Sequence, residues 1–204
     1  NLIANAPHMP VHLGSMSESI KTVIARNAGA MRPGDVFVLN DPYHGGTHLP
    51  DVTVVAPVYI EAERPSAAEG EGAGGGGRED GRRPLEPTFY VGSRGHHADI
   101  GGVTPGSMPP FSTRIDEEGV QIDNVRLVDA GRLCEAEMLA LLSSGEHPSR
   151  NPQQNLADLK AQVAANEKGV QELPRRAGQS GLPGVPAYRR PVQGNAEAAA
   201  RRAL

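Results

Sequence analysis

Two short runs of this chain combine imidazoles, carboxylates and paired glycines: NDPYHGGTHLPD at 40–51 and GHHADIGG at 95–102. Between them they carry His44, His48, His96 and His97, four of the seven histidines, together with Asp41, Asp51 and Asp99. Neutral imidazole nitrogens and carboxylate oxygens are the donors that divalent cations take in catalytic sites, where one coordination position is left for water. A metal held in this way lowers the pKa of its bound water and polarises a carbonyl. Gly45, Gly46, Gly101 and Gly102 suit close backbone approach or positive φ. A single motif of this kind is more often a structural hydrogen-bonding turn, so the reading depends on whether the two runs meet.

The elements around them say that they do. Residues 52–60 (VTVVAPVYI) are β-branched and mostly apolar, the strongest strand pattern in the chain, and residues 89–94 read as a second strand. Pro57 argues for an edge position or a bulge in the first of these. Between them, residues 61–87 hold four consecutive glycines, many charges and little to bury, the composition of a disordered insert. Without that insert, the simplest arrangement is an antiparallel pair, in which the start of one strand lies beside the end of the other. His48 and Asp51 precede the first strand and His96 and His97 follow the second, so the motifs converge. His48, Asp51 and His96 are the expected metal ligands. Asp99, three residues beyond His96, is expected to orient that imidazole or to ligate directly, and Asp99 and His97 are the expected catalytic residues. Asp41, His44 and His12 are supporting candidates.

Elsewhere, Ser17 caps an expected helix over 17–25, and residues 36–39 and 120–127 read as strands. Residues 104–112 (TPGSMPPFS) form an ordered loop, and 135–143 a helix. The best helix runs over 152–173, with Asn151 as cap, Pro152 at its first position and an apolar stripe of Leu156, Leu159, Val163, Val170 and Leu173. Asn166 interrupts that stripe, which points to a structural hydrogen bond. The fold class is therefore α+β, antiparallel strands with packed helices.

Composition narrows the function. With 25 Gly, 18 Pro, no Trp and only 3% aromatic residues in 204, large core side chains are scarce, as in part of a larger domain. The expected organisation is 1–60 and 88–204 as two stretches of one domain, incomplete at both ends, split by the insert at 61–87. A net charge of −4 gives no electrostatic case for nucleic acid or an anionic membrane. No apolar run approaches the roughly 20 residues of a membrane span. The one cysteine, Cys134, excludes an internal disulfide and suits a reducing, cytoplasmic compartment. His8 and His12 have i, i+4 spacing, but Pro10 between them argues against a helical metal pair. No phosphate-binding GxxxxGK[ST] or GxGxxG loop is present, and Ser107 and Ser112 lack the setting of a hydrolase nucleophile.

The runs ANAPHMPVHLGSM, NDPYHGGTHLPDVTVVAPV, FYVGSRGHHADIGGVTPGSMPP and NLADLKAQVAANEKGVQEL resemble the hydantoinase B / oxoprolinase family, most closely its eukaryotic-type 5-oxoprolinases. The resemblance spans nearly all of the chain except 61–87 and covers part of the family's B-type region. It implies an ATP-dependent amidohydrolase that opens 5-oxoproline to glutamate, with a separate A-type region, in cis or in trans, binding ATP and phosphorylating the amide. In the related acetone carboxylases, a B-like subunit holds manganese through a His-x-x-Asp pair and a later histidine; the matching positions are His48, Asp51 and His96. Manganese is thus the expected ion, with zinc as the alternative, and a homo-oligomer the expected assembly. An N-methylhydantoinase-type hydrolase and a non-catalytic assembly fragment are the competing readings.

Overall fold

The computed structural model describes residues 10–60, 86–180 and 201–202. The expected insert at 61–87 therefore lies almost wholly outside the described residues, as does His8. Helix α1 (Pro10–Arg26) leads to strand β1 (Val36–Leu39), then β2 (Asp51–Val58), β3 (Phe89–His96), β4 (Val125–Asp129) and β5 (Arg132–Leu133), followed by helices α2 (Glu135–Leu142) and α3 (Pro152–Ser180). The strands form one antiparallel sheet in the order β3-β2-β1-β4-β5, an α+β architecture.

Every residue of β2 is buried, because helices cover both faces of the sheet. Side chains alternate along a strand, so each face has its own set. On one face Val36, Val38, Val52, Val54 and Ala56 pack with Leu156 and Leu159 of α3 and Met138 and Leu142 of α2. On the other, Phe37, Leu39 and Val55 pack with Val23 and Ile20 of α1. Full burial of a valine stabilises by about 1.5–3 kcal/mol, so the valine-rich β2 is the anchor of the fold. Gly169 of α3 permits close packing on β3: a Cβ there would lie 2.8 Å from Val91 Cγ1.

Several sequence expectations need correction. Strand β2 is interior, not at an edge; β3 is the edge. Val58 C=O accepts from Thr88 N–H on the β3 side, so the adjacent Pro57 faces the β1 side, where pairing ends at Val55. Its missing N–H thus removes no ladder bond. The strand expected at 120–127 lies instead at Val125–Asp129. Asn124 adopts φ +52 and breaks the run, and the residues before it bond to Ile100 and Asn40. Ser17 is inside α1, which begins at Pro10, a residue suited to the first turn. Helix α3 continues through Pro174 to Ser180. Asn166 donates to Val54 C=O at 3.0 Å, the structural role its place in the stripe indicates.

Candidate metal centre

Asp51 opens β2, His96 closes β3, and the two are direct partners in the ladder. Opposed residues project from the same face, here the face that α1 covers. His96 Nδ1 lies 3.1 Å from Asp51 Oδ1. His48 reaches the same carboxylate through a tight turn in which Asp51 N–H donates to His48 C=O; its Nδ1 is 2.9 Å from Asp51 Oδ2. Thr47 Oγ donates to that oxygen at 3.0 Å. The two rings are 5.3 Å apart between centroids.

The supporting loop is fixed by backbone bonds and one amide. Asn40, fully buried, donates to Leu49 C=O at 2.8 Å and Val120 C=O at 2.9 Å, and accepts from Ile122 N–H at 2.6 Å. This ties the residue after His48 to the segment before β4. Gly46 packs directly on the Asn40 carbonyl, where no Cβ fits. Past the end of β3, His97 N–H donates to Pro50 C=O at 2.8 Å and fixes the exit of the second motif beside the first.

The donor set suits a cation. Metal bonds of about 2.0–2.2 Å place neighbouring N and O donors roughly 3.0–3.4 Å apart. The two His–Asp separations, 2.9 and 3.1 Å, are close to that, and ligand atoms of all three residues lie within 4.8 Å of one another. The Asp51 side chain is 7% exposed whereas that of His96 is 55% exposed, so the group is anchored on its carboxylate side and open on its imidazole side. Burial pushes the Asp51 carboxyl up, but hydrogen bonds from His96 and Thr47, with the charges of His48 and His12, outweigh it and hold the pKa below the ordinary carboxylate value. Asp51 is therefore ionised at neutral pH, as a ligand must be.

The remaining candidates separate. His12, on the first turn of α1, joins the group: its Nδ1 is 3.9 Å from Asp51 Oδ2. Asp41 and His44 do not. They bond to each other, and with Asp123 they make a second group of three possible donors, in which Arg26 also pairs with Asp123. His97 points the other way, onto the α3 face. It is 2% exposed, with Nε2 3.2 Å from Gln162 Oε1 and Nδ1 3.0 Å from Asn155 Nδ2. Burial pushes its pKa down. The carboxylate of Asp99 is bonded to Arg150 Nη1 at 2.8 Å and to the N–H groups of Gly101, Gly106 and Arg150. It thus organises its own loop, where the sequence suggests a carboxylate that orients His96 or ligates directly. Ser107 braces that loop, accepting from Ile100 N–H and donating to Gly101 C=O.

Arg94 escaped the sequence reading. It stands two residues before His96, hence on the same face, and a period-two count from His96 would have found it. Its guanidinium donates to Thr53 Oγ at 2.7 Å, to Ser19 Oγ at 2.8 Å and to Ser15 Oγ, fastening α1 to the sheet beside the histidines. Burial lowers its pKa and the charge of Asp51 acts against that.

Known proteins share both sequence and fold. The chain is 41% identical to 5-oxoprolinase 1 of Arabidopsis thaliana and 40% identical to 5-oxoprolinase of Saccharomyces cerevisiae, in each case over 100% of this chain and 15% of the relative. It therefore spans about one-seventh of the length of these relatives. The crystal structure of ATP-dependent caprolactamase from Pseudomonas jessenii superposes with a TM-score of 0.70 at 26% identity, over 91% of this chain and 27% of that one. The pattern of the Hydantoinase B/oxoprolinase family matches residues 1–204 from end to end, and the chain belongs to that family.

Proposed function

We propose that this chain supplies the metal-site part of an ATP-dependent cyclic amide hydrolase that opens 5-oxo-L-proline to L-glutamate. The observation that carries the reading is the direct pairing of Asp51 with His96 at the sheet edge, with His48 on the same carboxylate. Identities of 40–41% to 5-oxoprolinases, against 26% to the caprolactamase, favour the five-membered lactam over a larger ring.

His48, Asp51 and His96 are the residues that would hold a divalent ion, manganese or zinc, which when bound would polarise the amide oxygen or activate water. Thr47 fixes the Asp51 carboxylate, and the turn at 48–51 keeps His48 against it. Arg94 places a cation beside them, favourable for a substrate that carries a carboxylate or a phosphorylated amide. ATP would be bound by an A-type region outside this chain, acting with it in a cytoplasmic assembly. His97 and Asp99 serve the site by holding α3 and the 99–106 loop against the ends of β2 and β3.

Glutamate release from 5-oxoproline by the intact protein, with and without ATP, tests this. The expected result is ATP-dependent release that His48→Ala lowers by about 10²-fold or more. Preference for a methylated hydantoin over 5-oxoproline would overturn the substrate assignment, and unchanged turnover in His48→Ala would overturn the role of the trio.

A further inference from the structure

We infer that Arg94 sets His12 as a hydrogen-bond donor to the substrate, through Nε2–H, and not as a further metal ligand. The inference rests on the metal reading of His48, Asp51 and His96, and assigns what stands beside them. His12 Nδ1 is 3.4 Å from Arg94 Nη1, within hydrogen-bond range, and 3.9 Å from Asp51 Oδ2, outside it. A guanidinium has donors only, so in this contact Nδ1 is the acceptor and carries no proton. A neutral imidazole then holds its proton on Nε2.

A ligating imidazole offers the lone pair of its site-facing nitrogen to the ion. In His12 the nitrogen recorded beside Asp51 is Nδ1, as in His48 and His96, but its lone pair is already taken by the Arg94 guanidinium. Arg94 is held in place independently, by Thr53 on β2 and by Ser15 and Ser19 on α1. Among the described residues Arg94 makes no ion pair; its Nη1 faces the imidazole, and the charge of Asp51 acts on it. His12 Nε2 has no hydrogen-bond partner among the described residues, and its side chain is 23% exposed. The free N–H thus belongs to a partly desolvated ring whose Nδ1 lies 3.9 Å from Asp51 Oδ2. It suits a substrate oxygen bearing negative charge, the amide oxygen or its phosphorylated form.

The test measures metal content and turnover of the intact protein carrying His12→Ala, His12→Gln or Arg94→Gln, with 5-oxoproline and ATP. All three are expected to keep the metal content of the unsubstituted protein. His12→Ala should lower kcat by about 10²-fold, the cost of removing one oxyanion donor, with KM changed by less than about threefold. His12→Gln, whose amide N–H still donates, should recover about tenfold of that loss. Metal lost from His12→Ala would make His12 a ligand and overturn the inference while leaving the metal reading intact. His12→Gln as slow as His12→Ala would also overturn it. Absence of metal from the unsubstituted protein would instead contradict the metal reading, and the kinetic comparison would still decide whether His12 donates.

Discussion

Replacing Asn40 with Asp changes one NH2 to an oxygen in a site with no solvent access, and the structure sets its cost. Asn40 uses both N–H groups, on Leu49 C=O and Val120 C=O, while its oxygen accepts from Ile122 N–H. A carboxylate keeps the third bond, loses the first two and turns an anion towards two buried carbonyl oxygens. Each buried acceptor left without a donor costs about 1–3 kcal/mol, and burial of the charge adds to that unless the group protonates. We therefore expect about 3–5 kcal/mol of local destabilisation. The affected unit is the loop that carries His48 and the segment before β4, so the effect is local. Hydrogen exchange read by mass spectrometry on the intact protein should show peptides covering 46–52 and 120–122 opening about 10²-fold or more faster, since each 1.4 kcal/mol is roughly a factor of ten. Peptides from α3 should change far less. Protection of the loop within about threefold of the unsubstituted protein would refute the claim that Asn40 is its latch.

Other perturbations follow from the same contacts. Asp99→Asn should destabilise the 99–106 loop at neutral pH by about 2–4 kcal/mol, as charge-assisted bonds to Arg150 and three backbone N–H groups weaken. Burial pushes the Asp99 carboxyl up but those bonds outweigh it, so its pKa in the fold is below the ordinary value of about 3.9. The stability it contributes is therefore complete above that value and is lost as pH falls through the folded pKa. Acid titration of unfolding should show the gap between the unsubstituted protein and the Asp99→Asn variant closing below about pH 4. Gly46→Ala forces a methyl against the Asn40 and Asp41 carbonyls and should weaken metal binding at least about tenfold by displacing the turn that carries His48. Leu159→Ala, in the core between α3 and β2, should cost about 2–5 kcal/mol in thermal unfolding yet leave metal content unchanged.

What was legible in the sequence was whatever depends on local pattern. Strands β1 to β3 and helices α2 and α3 follow from hydrophobic periodicity and from Asn151 and Pro152 at the start of α3. The meeting of His48 and Asp51 with His96 follows from one antiparallel pairing and needs no knowledge of the chain between them. The misreadings arose where a residue's effect depends on a neighbour not adjacent in sequence. Pro57 signals an edge only if both sides of its strand are paired, and β1 ends before reaching it. Asp99 and His97 have the composition of catalytic groups, but Arg150 and Asn155, brought in by the approach to α3, engage them from more than fifty residues away. Arg94 was overlooked because an arginine in a strand is usually a solvated side chain. Its role appears only when α1 is laid across β3 and presents Ser15 and Ser19 to it.

In the proposed function the carboxylate of Asp51, with His48 and His96, holds a divalent ion. The most direct test of that role is elemental analysis of the intact protein beside Asp51→Asn, a change that preserves shape and removes the ligand charge. About one equivalent of manganese or zinc per chain is expected in the unsubstituted protein, and its loss from the variant. An ion retained in full by Asp51→Asn, or a folded, active protein that carries none, would contradict it.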